Sequence, residues 1–400
     1  MGKFSAENRR TVLLLGVCQA LLLTNSVILM AVNALTGYML ADNKMLATLP
    51  AMTYVVGSAV SAMPLSGWMR RVGRRSGFMH GSLLAIVGAI ICAIAVTMKS
   101  FWGVCVGTFF IGCYNATGAL YRFAAADAVP GDNKARAISL VLAGGIIGGL
   151  LGPLSATYSK DMLSVTYAGT YLSLVAFAVI ALAVQSRLQL PSLSVDTTNK
   201  PMRPLLEIAK QPKFFIAALS AAFGYGVMNL LMVATPLAMN FCGHAFKDGV
   251  FVLQWHVVGM FLPSFFTGDL IKKFSAIKII IAGALLNFVA AAINLSGVTV
   301  THFWFGLIVL GVGWNFMFIA GTALLTECYE PHEKTRVQGF NDMLIFTTMA
   351  ISASSAGVLV NARGWETVNY VSLPFIVIAL VGAAWLLLRR SPSVAPLAPR

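Results

Sequence analysis

The chain has 400 residues, of which 58% are hydrophobic and only 10% charged, with a mean hydropathy of +0.81 and a net charge of +14 at pH 7. Soluble domains carry roughly a quarter charged residues, so this composition excludes a water-soluble globular fold and points to an integral membrane protein. The six cysteines (Cys18, Cys92, Cys105, Cys113, Cys242, Cys328) show no C-x-x-C spacing and mostly lie in apolar runs; they read as packing residues, with no metal site expected.

Residues 1 to 10 carry Lys3, Arg9 and Arg10, and an apolar segment then runs from Thr11 to Tyr38. It is too long for a signal-peptide core, so it predicts an uncleaved first membrane helix. Further apolar segments centre near residues 56, 87, 112, 146, 174, 227, 260, 286, 313, 348 and 376. About 20 apolar residues span a bilayer, which predicts an all-α membrane fold of twelve helices. They divide into an N-terminal half at 1–185, a polar linker at 186–212 containing Pro191, Pro201, Pro204 and Pro212, and a C-terminal half at 213–390. The Ser/Pro/Ala-rich 391–400 tail is expected to be disordered. With the N-terminus inside, 22 of the 28 basic residues fall on the cytoplasmic side and only Lys44, Lys99, Lys160, Lys247 and Arg363 on the other. That bias puts both termini in the cytoplasm and accounts for the basic charge without a nucleic-acid partner.

One pattern occurs twice, about 200 residues apart. Gly112-Cys113-Tyr114-Asn115 is followed by Asp127, Pro130, Asp132 and Arg136, while Gly313-Trp314-Asn315 is followed by Glu327, Pro331, Glu333 and Arg336. A repeat of this period implies two similar halves, with a solute site between them near the bilayer midplane. The fifth helix carries Gly144, Gly145, Gly148, Gly149 and Gly152 before Pro153. Small residues let helix backbones approach and proline removes a donor, so Gly148, Gly152 and Pro153 are candidate hinge residues; plain close packing is the alternative.

Between helices 2 and 3, Ser66-Gly-Trp-Met-Arg-Arg-Val-Gly-Arg-Arg75 resembles the G-x-L-a-D-r-x-G-r-r loop of the major facilitator superfamily. Gly268-Asp-Leu-Ile-Lys-Lys-Phe-Ser275, between helices 8 and 9, looks like its degenerate copy. Arg70 and Lys272 stand where that family has aspartate, and Thr108 replaces its helix 4 arginine. Gly148-x-x-x-Gly152-Pro153 matches half of an antiporter motif. The resemblance implies a cavity lined by helices 1, 4, 7 and 10. There the chain offers Asn25, Asn33, Tyr114, Asn115, Tyr225, Asn229, Trp314 and Asn315, with Trp255 and His256 added from helix 8 and Tyr54 from helix 2. Asn115 and Asn315, being repeat-related, are expected to approach from opposite halves. The alternative for any one of these amides is a helix–helix hydrogen bond, since buried polar groups in lipid must find partners.

The resemblance also implies an inner gate of ion pairs. Asp127, Asp269, Glu327 and Asp342 lie near cytoplasmic helix ends, beside Arg70, Arg71, Arg74, Arg75 and Lys272. Isolated exposed pairs contribute only about 0–1 kcal/mol, so a gate requires a network; charge facing anionic lipid is the alternative. Arg122, five residues inside Asp127, is an ionisable residue within a helix and hence a functional candidate, unless it snorkels to the headgroups. No carboxylate falls in the middle of a predicted helix, which leaves His256 as the candidate for proton coupling, with facilitated diffusion open.

The expected function is secondary transport of a small organic solute across a bacterial-type inner membrane by alternating access. An amide- and aromatic-rich cavity suits a neutral or weakly anionic solute, and a flat aromatic one such as a riboflavin-like vitamin fits that description. A proton-coupled multidrug antiporter and a non-transporting membrane receptor are the competing readings. The expected partners are solute, lipid and, as a candidate, protons, acting on a monomer with no cofactor. The chain has no P-loop, nucleophile elbow or H-E-x-x-H, so no enzyme is expected.

Overall fold

A computed structural model describes residues 6–43, 46, 49–190 and 203–389. The predicted tail and residues 191–202 of the linker lie outside them. The first bundle comprises α1 (Ala6–Leu40), α2 (Leu49–Val72), α3 (Arg74–Thr97), α4 (Phe101–Gly118) continued by α5 (Tyr121–Asp127), α6 (Lys134–Ala143) continued by α7 (Gly145–Ser159), and α8 (Ala168–Gln185). The short α9 (Leu205–Ala209) leads into the second bundle. That bundle comprises α10 (Pro212–Phe241), α11 (Phe246–Phe261) continued by α12 (Ser264–Phe274), α13 (Ala276–Ser296), α14 (Val300–Leu325) and α15 (Lys334–Leu388). A positive φ of 79° at Gly364 breaks α15 into two arms, one on either side of that residue.

These elements make twelve columns. Eleven are long and apolar enough to cross a bilayer. The twelfth is the 24-residue α2, whose serines and terminal Arg70 and Arg71 dilute its apolar run. Helix α2 packs on α4 within its own bundle and on α15 of the other, so part of its surface faces protein rather than lipid.

The outer surface follows the solvent it meets. On α3, Leu83, Val87, Ile90 and Ile94 recur at helical spacing and are all exposed, while Ala85, Ala89, Cys92 and Val96 on the opposite face are buried. An apolar stripe of this kind is a liability in water and a lipid contact in a membrane. Small residues set the spacing inside each bundle. A Cβ on Gly112 would stand 2.1 Å from the Tyr54 carbonyl, pressing α4 onto α2, and one on Gly311 would stand 2.8 Å from the His256 carbonyl, pressing α14 onto α11. The two bundles thus repeat the same seam.

The repeat extends to a turn. Helix α2 passes into α3 through Gly73 at φ 86°, ψ 155°, and α12 passes into α13 through Ser275 at φ 86°, ψ 152°. Glycine takes such angles freely, whereas serine adopts them only against strain.

Candidate solute site and inner latch

Hydrogen bonds and ion pairs between the bundles cluster at one end, the end that the charge pattern predicts to be cytoplasmic. Arg74, buried at the start of α3, donates through Nη2 to Asp127 Oδ2 at 2.9 Å and to Gln338 Oε1 on α15 at 2.6 Å. Lys334 Nζ reaches the same Asp127 oxygen at 3.2 Å. Ser66 Oγ donates to the Thr335 carbonyl, and Gly339 presses against the Ser66 side chain, so α2 and α15 meet without a gap. A second seam joins α6 to α12. Ser139 Oγ donates to the Ser264 carbonyl and accepts from the Gly268 N–H at 3.1 Å, while Arg136 Nε lies 3.6 Å from Asp269 Oδ1. The buried members of this network are worth more than exposed pairs, because removing one leaves its partner charged and unsatisfied.

Deeper in the bundle, Arg122 on α5 donates through Nη2 to Asp342 Oδ1 on α15, and through Nη1 to the Ala119 carbonyl at 2.8 Å. Both residues of this pair are buried. The Arg122 guanidinium lies between the rings of Phe123, 4.6 Å away, and Phe318, 4.7 Å away, one from each bundle. Phe318 stacks on Trp314 at 5.0 Å, and the half-buried Tyr225 stands edge-on to both, at 5.2 Å from Trp314 and 5.3 Å from Phe318. Phe261 abuts the far side of Trp314 at 5.6 Å. Across from Tyr225, within electrostatic reach, is half-buried Tyr54 on α2, held at 2.9 Å by Ser26. Half-buried Asn115 donates to Ser58 Oγ at 3.1 Å on the same wall. The arrangement is an aromatic surface over a buried cation, with hydroxyls and an amide opposite. It suits a flat π-system carrying polar edges.

Of the predicted cavity residues, Tyr54, Tyr225, Trp314 and Asn115 fall in this arrangement. The others do not. Asn315 is satisfied inside its own bundle, donating to the Met260 carbonyl and Ser264 Oγ, each at 2.6 Å, and accepting from Thr267 Oγ1 at 2.7 Å. The expected approach of Asn115 and Asn315 from opposite halves is therefore corrected: each bonds a serine of its own bundle, Ser58 and Ser264. Asn229 donates to the Met349 carbonyl and Ser352 Oγ, and Asn33 accepts from Tyr171. Tyr114 lies in the core of the first bundle beside Cys18, Tyr121 and Ser82. Asn25 is buried with neither amide atom hydrogen-bonded. Trp255 is 42% exposed and clusters with Phe251 and Trp304. At about 100° per residue it points away from Val257 and Phe261, the residues that α11 turns toward the other bundle. His256, also on α11, donates through Nδ1 to the Leu307 carbonyl, 2.7 Å away on α14, and its Nε2 is buried without a partner.

The expected gate residues also separate. Arg74, Arg122, Asp127, Asp269 and Asp342 make the contacts just described. Arg70 is half-buried, while Arg71 on α2, Arg75 on α3 and Lys272 on α12 are exposed at their helix ends. Glu327 pairs with Lys213 at 3.2 Å within the second bundle, both largely exposed, and so does not repeat the role of Asp127. The hinge glycines face inward on their own bundle: a Cβ on Gly148 would stand 2.5 Å from the Ala20 carbonyl, and one on Gly152 2.7 Å from Val27 of α1. It is Gly145 and Gly149 that meet the second bundle, at Phe261 and Val257. Sequence reading missed Phe261, Phe318, Gln338, Ser66 and Ser139, which carry no pattern of their own within apolar or small-residue runs.

The linker is anchored beside the latch. Arg203 Nε and Nη2 donate to the two Glu333 oxygens at 2.7 and 2.5 Å, and Glu333 also accepts from the Glu330 N–H at 3.0 Å. The Arg203 hydrogen bonds hold the Glu333 carboxyl down at about 2, well below its ordinary 4.5.

The description "Major Facilitator Superfamily" matches residues 12–295 and 249–400. The chain is 38% identical over 387 residues to the riboflavin transporter RfnT of Brucella anthropi, covering 96% of each protein. It is 28% identical over 352 residues to an uncharacterised transporter of the same type, YddS of Bacillus subtilis, covering 82% of this chain and 80% of that one. Among solved structures it resembles a variant of the E. coli fucose:proton symporter FucP, with a TM-score of 0.76 at 16% identity over 97% of this chain and 100% of that one. A bacterial homologue of the iron transporter ferroportin in an outward-facing state gives 0.73 at 12% identity, over 95% of this chain and 100% of the other.

Proposed function

Because the chain belongs to the major facilitator superfamily, we propose that the solute it moves by alternating access is riboflavin or a closely related flat heteroaromatic. The observation that carries this reading is the 38% identity, over 96% of both chains, to a transporter named for riboflavin. The site is chemically apt. A tricyclic ring system stacks on half-buried Tyr225, which the buried Trp314 and Phe318 back, and its carbonyl edge meets Tyr54 or Asn115. The acid within electrostatic reach of Tyr225, Asp342, is paired with Arg122, in keeping with a solute that carries no positive charge.

On this reading the two bundles rock about the site, across a bacterial inner membrane with both termini in the cytoplasm. The Arg74–Asp127–Lys334 cluster, Ser66–Thr335, Arg136–Asp269 and the Ser139–Ser264 seam together form the inner gate. Their closure corresponds to a state open to the outside. The α1–α7 seam at Gly148, Gly152 and Pro153 moves as one piece, while Gly145 and Gly149 provide the smooth surface against which α11 turns.

The test is uptake by proteoliposomes of the purified protein, offered labelled riboflavin, an unrelated vitamin, an organic anion and a cationic drug. Saturable riboflavin uptake, competed by unlabelled riboflavin but not by the others, is the expected result. Uptake of the drug with riboflavin excluded overturns the proposal in favour of a multidrug carrier.

A further inference from the structure

The buried Arg122–Asp342 pair has an odd chemistry. Asp342 lies eight residues along α15, about 12 Å into the helix at 1.5 Å per residue, and is only 1% exposed. One carboxylate oxygen receives both Arg122 and the Asn341 amide, the latter at 3.1 Å. The other, Oδ2, is buried with no hydrogen-bond partner, and so is Arg122 Nε. A buried arginine and carboxylate normally engage through both forks; here one acceptor position is left free.

We propose that Asp342 takes up and releases a proton during the transport cycle, and that its pairing with Arg122 locks the inner side only while it is ionised. Arg122 belongs to the first bundle and Asp342 to the second, so opening the inner side pulls them apart. An ionised carboxylate stripped of its only cation in a dry site is strongly disfavoured, and the lock holds. A proton arriving from the outer cavity forms an O–H bond at Oδ2, where no donor competes for the lone pairs. The Coulombic attraction is then gone and the bundles separate; the O–H bond breaks and the proton leaves to the cytoplasm once that side opens. The groups facing Asp342 are Arg122 from α5, Tyr225 from α10 and, at longer range, Arg74 from α3, with Asn341 beside it on its own helix. His256 is placed differently. Its partner Leu307 lies in the same bundle, so rocking does not disturb that bond.

The proposal goes beyond the choice of solute, and its test uses none, so a mistaken solute leaves the result standing. Spin labels are placed on the exposed inner-end positions by Arg71→Cys and Lys273→Cys, with Cys242→Ser removing the exposed native thiol. Inter-label distances are recorded in nanodiscs between about pH 5 and pH 8. The expected result is a shift of the parent population toward the long, inside-open distance as pH falls. Asp342→Asn should sit at the long distance at every pH. Arg122→Gln, which takes away the other half of the lock, should likewise sit at the long distance at every pH, and serves should Asp342→Asn fail to give monodisperse protein. A parent distance that ignores pH overturns the proposal. So does a parent-like response in Asp342→Asn, and a response abolished only by His256→Ala assigns the proton to the histidine instead.

Discussion

A methyl group added at Gly268 should act as a wedge in the inner latch. A Cβ there would stand 2.5 Å from Arg136 Cα, 2.8 Å from the Ala135 carbonyl and 2.9 Å from the Arg136 nitrogen. All three are backbone atoms of the opposite bundle, so no side-chain rotation relieves the contact, and α6 and α12 must part by several tenths of an ångström or more. Overpacking of this kind costs about 1–3 kcal/mol, and the Gly268 N–H to Ser139 bond, worth about 1 kcal/mol, weakens with it. The strain exists only while the inner side is closed. A penalty of about 2 kcal/mol therefore lowers the closed-to-open ratio about 30-fold, at a factor of ten per 1.4 kcal/mol. Single-molecule energy transfer between dyes at Arg75→Cys and Lys273→Cys reads that ratio directly. Gly67→Ala is the control, because a Cβ there meets nothing within 4 Å on the same inner end of α2. If Gly268→Ala leaves the distribution where Gly67→Ala does, the α6–α12 contact is not part of the latch.

Three further outcomes are expected. Tyr225→Ala should weaken riboflavin binding about tenfold, through loss of stacking area, while Trp255→Ala changes it less than about twofold; quenching of the ligand's fluorescence reports both, and a reversal of that order refutes the placement of the site. Asn315→Leu should destabilise the fold by about 1–2 kcal/mol, since Ser264 Oγ and the Met260 carbonyl lose its buried donor, whereas Asn25→Leu should be neutral or stabilising because it gives up no hydrogen bond; equal losses of melting temperature in detergent contradict the assignment. Glu333→Gln tests the linker anchor by its pH dependence. A carboxyl lowered from 4.5 to about 2 by Arg203 contributes stability that is fully present above about 4.5 and lost as pH falls through about 2. The shift corresponds to about 3 kcal/mol, cut to about 1–2 kcal/mol because Arg203 is one-third exposed. The variant should melt below the wild type at pH 7 and converge with it as pH falls toward about 2. A gap that persists in acid is the contrary result.

The fold was legible because lipid imposes one rule on every segment: enough apolar residues to cross, and charge held on one side. That rule recovers the twelve columns, and it falters at α2, which trades apolar residues for serines where it packs on protein. The repeat was legible too, but its meaning was not. Asn115 and Asn315 recur because each ties its helix to a serine of the same bundle, the cheapest way to satisfy a buried amide, and not because they meet. Asp127 and Glu327 recur in sequence while diverging in use. One holds Arg74 of its own bundle and Lys334 of the other; the other holds Lys213 at the surface. Phe318 and Phe261 were invisible, since a phenylalanine in an apolar run looks the same whether it meets lipid, core or solute. The pairing of Arg122 with Asp342 joins residues 220 positions apart, and only the meeting of the two bundles brings them together.

The turns at Gly73 and Ser275 show what duplication kept. Serine holds a backbone geometry that glycine occupies freely, at a cost of order 1–3 kcal/mol, and both joints agree to within a few degrees. Had the angle been free to drift, the second copy would have relaxed into an unstrained bend once its glycine was gone. It kept the angle and absorbed the strain. The inheritance shared by the two halves is thus a matter of directions more than of side chains: the way one helix is aimed by the last has outlived the residue best suited to aim it.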